Sequence, residues 1–250
     1  MILRKLKGDH DKDDDPSTWA TTAVSPSEMA AVRDYLNNQG RASVLDVAGG
    51  SGHVSMALGL HGIASTIVDP RDKVGHLPGR DRKIWNRAWR QLHQAKNKGT
   101  RVDNNNDDEN AKVLYCQPVQ YQVYRAWFGT PPEVRHEDQV DLPVCGSDTT
   151  GDENDKANQL LRNCRAIAAL HPDEATDAIV DTAVQRRIPF VIVPCCVFYR
   201  LFPHRKMPND PQRPVSTYED LIDYLQAKDP SIQRTLLPFE GANTLLWSIF

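Results

Sequence analysis

The run Val44-Leu45-Asp46-Val47 passes directly into Ala48-Gly49-Gly50-Ser51-Gly52 and then into the apolar segment 53–60, and few folds accommodate that succession. An apolar run too short for a helix, a glycine cluster that tolerates left-handed backbone and an apolar octet give strand, turn and helix. A second short run, Ala64 to Val68, ends at Asp69-Pro70. Two strands joined through a helix form a parallel βαβ unit, because parallel pairing requires a crossover of that length. With 250 residues the chain is long enough to bury one α/β core around this unit.

Elsewhere the pattern predicts a helix over 27–36, opened by Ser25-Pro26-Ser27-Glu28, in which Ser and Glu favour a helix N-terminus and Pro suits its first turn. Arg80 to Lys98 reads as a basic helix containing Trp85, Trp89 and Leu92, and Val119 to Phe128 as a third strand with part of a helix. A strand is expected over 166–170 and a helix over 174–187, where Ala175, Ile179, Val180 and Ala183 make an apolar face. Phe190 to Val193 is the next strand. A Pro-rich basic loop follows, then a helix opened by Thr217-Tyr218-Glu219-Asp220 in a capping-box pattern. The end of the chain reads as an antiparallel hairpin of strands 234–237 and 244–249.

Residues 1–24 hold an Asp-rich run too charged to pack, so they are expected to form an acidic leader ahead of one domain over 25–250. Polar insertions are expected near 99–112 and 146–158. The net charge of −3 gives no global attraction to nucleic acid or membrane, so either partner has to rest on local patches. Five cysteines without Cys-x-x-Cys spacing fit reduced thiols rather than a disulfide framework or a zinc finger. With no apolar stretch of membrane-spanning length, an intracellular protein of the cytoplasm or nucleus is expected, with a mitochondrial address also open.

In a parallel sheet, ligands gather beyond the carboxyl ends of the strands where crossovers diverge, and glycines there let a ligand approach the backbone. Gly49, Gly50 and Gly52 occupy that turn, and Asp69 ends the neighbouring strand, where a carboxylate can accept from both hydroxyls of a ribose. A dinucleotide fingerprint needs Gly-x-Gly-x-x-Gly, but Ser55 stands at its third glycine. Val-Leu-Asp-Val-Ala-Gly-Gly-Ser-Gly at 44–52 resembles the Asp/Glu-x-Gly-x-Gly-x-Gly signature of class I S-adenosylmethionine-dependent methyltransferases, with Ala48 in place of the first glycine. The resemblance implies a Rossmann-like methyltransferase fold: a mostly parallel central sheet with a C-terminal antiparallel hairpin and helices on both faces. It also implies that Asp46, Ala48, Gly49, Gly50 and Gly52 hold the methionine end of S-adenosylmethionine and that Asp69 holds its ribose.

The same resemblance places the methyl acceptor beside the ends of the fourth and fifth strands, at His171-Pro172-Asp173 and Pro194-Cys195-Cys196. These strand ends are similar to those of a group of methyltransferase-domain proteins suspected of acting on RNA. His171 suits a general base, since imidazole titrates near neutral pH, and equally suits a hydrogen-bonded strand end. Asp173 is placed to orient the acceptor or to cap the following helix. Cys195 and Cys196 suit either a nucleophile of the cytosine C5 type or small residues lining the pocket.

Two basic groups qualify as RNA contacts. Arg80, Arg82, Lys83, Arg87, Arg90, Lys96, Lys98 and Arg101 are opposed only by Asp81 and enclose two tryptophans; Arg200, His204, Arg205 and Lys206 follow the Cys-Cys pair. The competing reading of the first group is a solvated helix whose tryptophans face the core. Three functions follow: a methyltransferase whose acceptor is RNA, a catalytically inactive methyltransferase-like RNA-binding or assembly factor, and an NAD-dependent oxidoreductase.

Overall fold

A computed structural model describes residues 26–37, 44–97, 119–129 and 159–250. The expected leader, the Ser25 cap and both polar insertions lie outside the described residues, as do Cys116 and Cys145. The βαβ unit forms where the sequence places it: β1 (Val44–Val47), α2 (His53–Leu60) and β2 (Ser65–Val68), preceded by α1 (Pro26–Asn37). The chain continues through α3 (Gly79–Asn97), β3 (Gln122–Tyr124), β4 (Ala166–Leu170), α4 (Thr176–Arg186) and β5 (Phe190–Val193). It ends with β6 (Lys206–Met207), β7 (Asp210–Pro214), α5 (Tyr218–Gln226), β8 (Gln233–Leu236) and β9 (Thr244–Ser248).

Seven strands form one sheet in the order β3-β2-β1-β4-β5-β9-β8, and β6 and β7 make a separate antiparallel pair. The first five strands of the sheet run parallel, while β9 is antiparallel to both β5 and β8. The molecule is therefore α/β, with a mostly parallel sheet between helices, compatible with a Rossmann-like fold. Between β1 and β4 the order reverses direction: the chain winds from β1 toward β3 on one side and from β4 toward β5 on the other. Diverging crossovers leave a crevice at that point.

Alternation along the strands explains how both faces are covered. Leu45, Val47, Ile167 and Ala169 join the main core with Ile179 and Val180 of α4 and Leu221, Ile222 and Leu225 of α5. The intervening Val44, Ala166 and Ala168 pack with Leu36 of α1 and Leu58 of α2. Strands buried on both faces read as continuous apolar runs, as these do. Gly59 permits the tightest part of this packing: a Cβ there would lie 2.4 Å from the Val119 carbonyl oxygen and 2.9 Å from the Trp85 ring.

Three local expectations are corrected. Residues 125–129 contain no helix after β3. The Pro-rich basic loop contains the β6–β7 pair. Residues 173–175 form a 3₁₀ turn before α4, and Asp173 makes no side-chain cap. The capping box of α5 is present: the Thr217 hydroxyl accepts from the Asp220 amide at 3.1 Å and the Asp220 carboxylate accepts from the Thr217 amide at 3.0 Å.

Candidate functional site

The glycine turn is built around two buried acids. Asp46, on β1, is fully buried, and its Oδ2 accepts from the Ser55 amide at 3.0 Å and the Ser55 hydroxyl at 2.7 Å, which ties the start of α2 to the strand. A Cβ on Gly49 would lie 2.6 Å from the Asp46 carboxyl carbon, so only glycine fits above it. Gly50 and Gly52 have φ of 52° and 86°, the left-handed region that side chains disfavour. The other carboxylate oxygen, Oδ1, has no hydrogen-bond partner among the described residues. Burial raises the Asp46 carboxyl to about 6, against the pull of the Ser55 bonds.

Asp69 follows β2 directly and reaches the same turn, accepting from the Gly50 amide at 3.0 Å. This bond joins the acid at the end of the second strand to the glycine turn after the first. Its carboxylate is also gripped by Arg71: Oδ1 accepts from the Arg71 amide and Nε at 3.0 and 2.8 Å, and Oδ2 from a terminal guanidinium nitrogen at 2.5 Å. Burial pushes the Asp69 carboxyl up, but these bonds outweigh it and hold it below its ordinary value. Arg71 thus occupies the carboxylate at which the sequence leads one to expect a ribose. The next residues also lie along the turn, with the Gly75 amide donating to the Gly50 carbonyl at 2.8 Å and the Tyr121 hydroxyl donating to the Gly75 carbonyl at 2.9 Å. Arg71 itself is 62% exposed, so its side chain has room to leave. The orphaned Asp46 oxygen, the glycine cradle and a second acid beside it suit an adenosyl ligand on that condition.

No family model matches the chain, and no curated protein matches it either.

Across the crevice, the ends of β4 and β5 bring the acceptor-side residues together. The His171 amide donates to the Val193 carbonyl at 3.0 Å, tying the two strand ends. Asp173 is turned toward the cysteines: the Cys195 thiol donates to its Oδ1 at 3.3 Å, and the Cys195 and Cys196 sulfurs lie 3.4 Å apart. Burial, the neighbouring thiol and the Asp173 carboxylate all push the Cys195 thiol up, so it is protonated at neutral pH. A protonated thiol is a poor nucleophile, which favours the lining role over attack on a base. Ala48, His171 and Asp173 have φ of 54°, 57° and 47°. Left-handed conformations at non-glycine residues are costly and concentrate at functional sites, and these three lie at the carboxyl ends of β1 and β4.

The two basic groups divide. On α3, Arg80, Lys83, Arg87 and Arg90 are exposed and recur at helical spacing, so they form one outward stripe. Asp81 points inward and lies 3.1 Å from His53 Nε2, leaving the stripe without it. Trp85 and Trp89 have ring centroids 5.7 Å apart, and Trp85, half-buried on the inner side, lies 6.0 Å from Tyr121. Their placement matches the core-facing reading. The side chain of Lys96, and Lys98 and Arg101 altogether, lie outside the described residues.

In the second group Arg200, His204 and Lys206 are exposed, whereas Arg205 is 1% exposed and cannot meet an RNA. Its Nε donates to Asp177 at 2.5 Å and Nη1 to the Val197 carbonyl at 2.7 Å, and its guanidinium stacks 3.7 Å from the Phe202 ring centroid. Arg205 is thereby corrected from RNA contact to buried support of the segment after β5. Sequence reasoning missed Arg71, the anchoring of Asp46 by Ser55 and the Asp177–Arg205 pair. Arg71 carried a legible signal, because an arginine two residues after an acid can fold back on it.

Among the described residues, no helix is long and apolar enough to cross a membrane.

Proposed function

We propose that the protein is a class I S-adenosylmethionine-dependent methyltransferase whose acceptor is RNA. The observation that carries this reading is the 3.0 Å bond between Asp69 and the Gly50 amide, which joins a strand-end acid to a glycine turn at the point where the crossovers diverge. The antiparallel β9 beside β5 supports methyl transfer over the NAD-dependent alternative, since the dinucleotide fold extends its sheet with parallel strands. Bound in the crevice, the cofactor would supply an electrophilic methyl group. Asp69 would take the ribose hydroxyls, and the glycine turn above Asp46 would take the methionine end. His171 would accept a proton released by the acceptor, while Asp173, Cys195 and Cys196 would line its pocket. The α3 stripe, with Arg200 and Lys206, would neutralise phosphates along the RNA.

Arg71 has to release Asp69 before a ribose can bind. Arg71 is 62% exposed, so solvent screens its pairing with the buried Asp69 to roughly 1 kcal/mol or less, and Arg71→Ala is expected to tighten adenosylhomocysteine binding by up to about fivefold. Calorimetric titration of both proteins checks this, and weaker binding by the variant would make Arg71 a ligand contact. Replacing Arg80, Lys83, Arg87 and Arg90 by glutamine is expected to weaken RNA binding and flatten its salt dependence by about one slope unit for each phosphate left without its cation. An unchanged slope would remove the stripe from the interface.

The occupied Asp69 favours a second reading, the catalytically inactive RNA-binding or assembly factor. Transfer of labelled methyl from S-adenosylmethionine into fractionated cell extract distinguishes the two. Label in RNA that is abolished in Asp69→Ala supports the enzyme with an RNA acceptor. Label confined to protein or small molecules removes RNA as acceptor, and no label with RNA affinity retained selects the scaffold.

A further inference from the structure

Two adjacent thiols and a carboxylate from separate strand ends converge beyond the carboxyl ends of β4 and β5. Asp173 Oδ1, Cys195 Sγ and Cys196 Sγ each offer one donor, and all three lie within 4.8 Å of one another. We infer that Asp173, Cys195 and Cys196 form a binding site for a thiophilic divalent cation of the zinc class.

The spacing is the first support. A tetrahedral ion with metal–sulfur bonds of about 2.3 Å and a metal–oxygen bond of about 2.0 Å places two sulfurs about 3.8 Å apart and a sulfur and oxygen about 3.5 Å apart. The observed separations are 3.4 Å between the sulfurs and 3.3 Å between Cys195 Sγ and Asp173 Oδ1. Shifts of a few tenths of an ångström bring both of these pairs to the required spacing, and the third pair, Asp173 with Cys196, lies within 4.8 Å. The donor set is the second support, since thiolates prefer soft or borderline ions and exclude magnesium and calcium. Three protein donors with one open position is also the ligand count of reactive rather than purely structural zinc.

On binding an ion, both thiols would release their protons to solvent. Asp173 makes no helix cap, and its Oδ1 accepts from the Cys195 thiol, so the carboxylate already faces the site. The site stands on donor geometry and does not depend on the methyl-transfer reading.

The test uses the full chain, reduced and stripped of metal. Zinc is expected to bind one ion per chain with proton release, and cobalt to give a thiolate charge-transfer band in the near ultraviolet. Cys195→Ser with Cys196→Ser is expected to lose the band and weaken zinc binding by at least about a hundredfold, and Asp173→Asn to weaken it less. Should the double variant fold poorly, alkylation of the unaltered protein gives the same answer: zinc is expected to protect Cys195 and Cys196, and to leave the rate at Cys164 unchanged. Absence of the band in the unaltered chain, its persistence in the double variant, or no protection by zinc would overturn the inference. Adenosylhomocysteine binding, measured in parallel without metal, is a separate readout, so failure of either site leaves the other standing.

Discussion

Replacing Arg205 by alanine is expected to destabilise the fold by about 3–5 kcal/mol, because it strips a buried carboxylate of its closest partner. Asp177 is 2% exposed, and Lys228 remains 3.1 Å from its other oxygen, which softens the loss without removing it. Burial alone would raise the Asp177 carboxyl, yet Lys228 and Arg205 hold it below its ordinary value. The stability tied to Asp177 is therefore present above the unfolded-state carboxylate range and lost as pH falls through it toward the depressed folded value. The alanine also removes the guanidinium from the Phe202 ring and from the Val197 carbonyl, which fix the chain after Cys195-Cys196. For a domain of this size the loss corresponds to a fall in Tm of about 10 °C. Thermal unfolding checks it. A Tm within one or two degrees of the unaltered protein, together with weaker RNA binding, would return Arg205 to the surface role that its sequence context suggests.

A second large effect is expected at Asp46. Its carboxyl has an ordinary value of 3.8 and is raised to about 6 by burial. Between those values the folded protein binds a proton that the unfolded chain has released, so stability declines as pH rises through that window. The decline attributable to Asp46 is about 3 kcal/mol and is complete above the folded value. Asp46→Asn keeps an acceptor for Ser55 and removes the charge, so its stability is expected to lack this decline. Its side-chain NH₂ would take the place of the unpartnered Oδ1, and a buried amide left without an acceptor costs about 1–3 kcal/mol at every pH. Denaturant unfolding at about pH 4.5 and pH 7.5 separates the two effects, because only the first depends on pH. Equal pH dependence in both proteins would show that Asp46 is not buried as a strained acid.

The extent to which the fold is legible follows from where its information lies. β1, the glycine turn, α2 and β2 are readable because apolar runs, glycines and the crossover length are all local in the chain. The α5 capping box is readable for the same reason, since Thr217 and Asp220 are neighbours on the first turn. Arg205 misleads because its partner, Asp177, lies 28 residues earlier, and an arginine without a visible partner reads as surface. Asp173 misleads because an acid just ahead of a helix reads as its cap, whereas its carboxylate turns to Cys195, a residue 22 positions later. The β6–β7 pair is hidden by prolines, which argue against strand interiors but are tolerated at edges. At the glycine turn, both acids and the glycines are legible because each ends or follows a local apolar run, and the grip of Arg71 on Asp69 is legible only in part, since a spacing of two permits it but a side-chain rotamer decides it.

The proposal that the crevice takes an adenosyl ligand is tested most directly by calorimetric titration of the unaltered chain with S-adenosylhomocysteine, alongside the Asp69→Ala variant and with folding of both checked by circular dichroism. The expected result is one site per chain whose affinity falls by at least about tenfold in the variant, since a buried acceptor of two hydroxyls is removed. Absence of binding by the folded chain, or equal affinity in the two proteins, would contradict a ribose seated on Asp69.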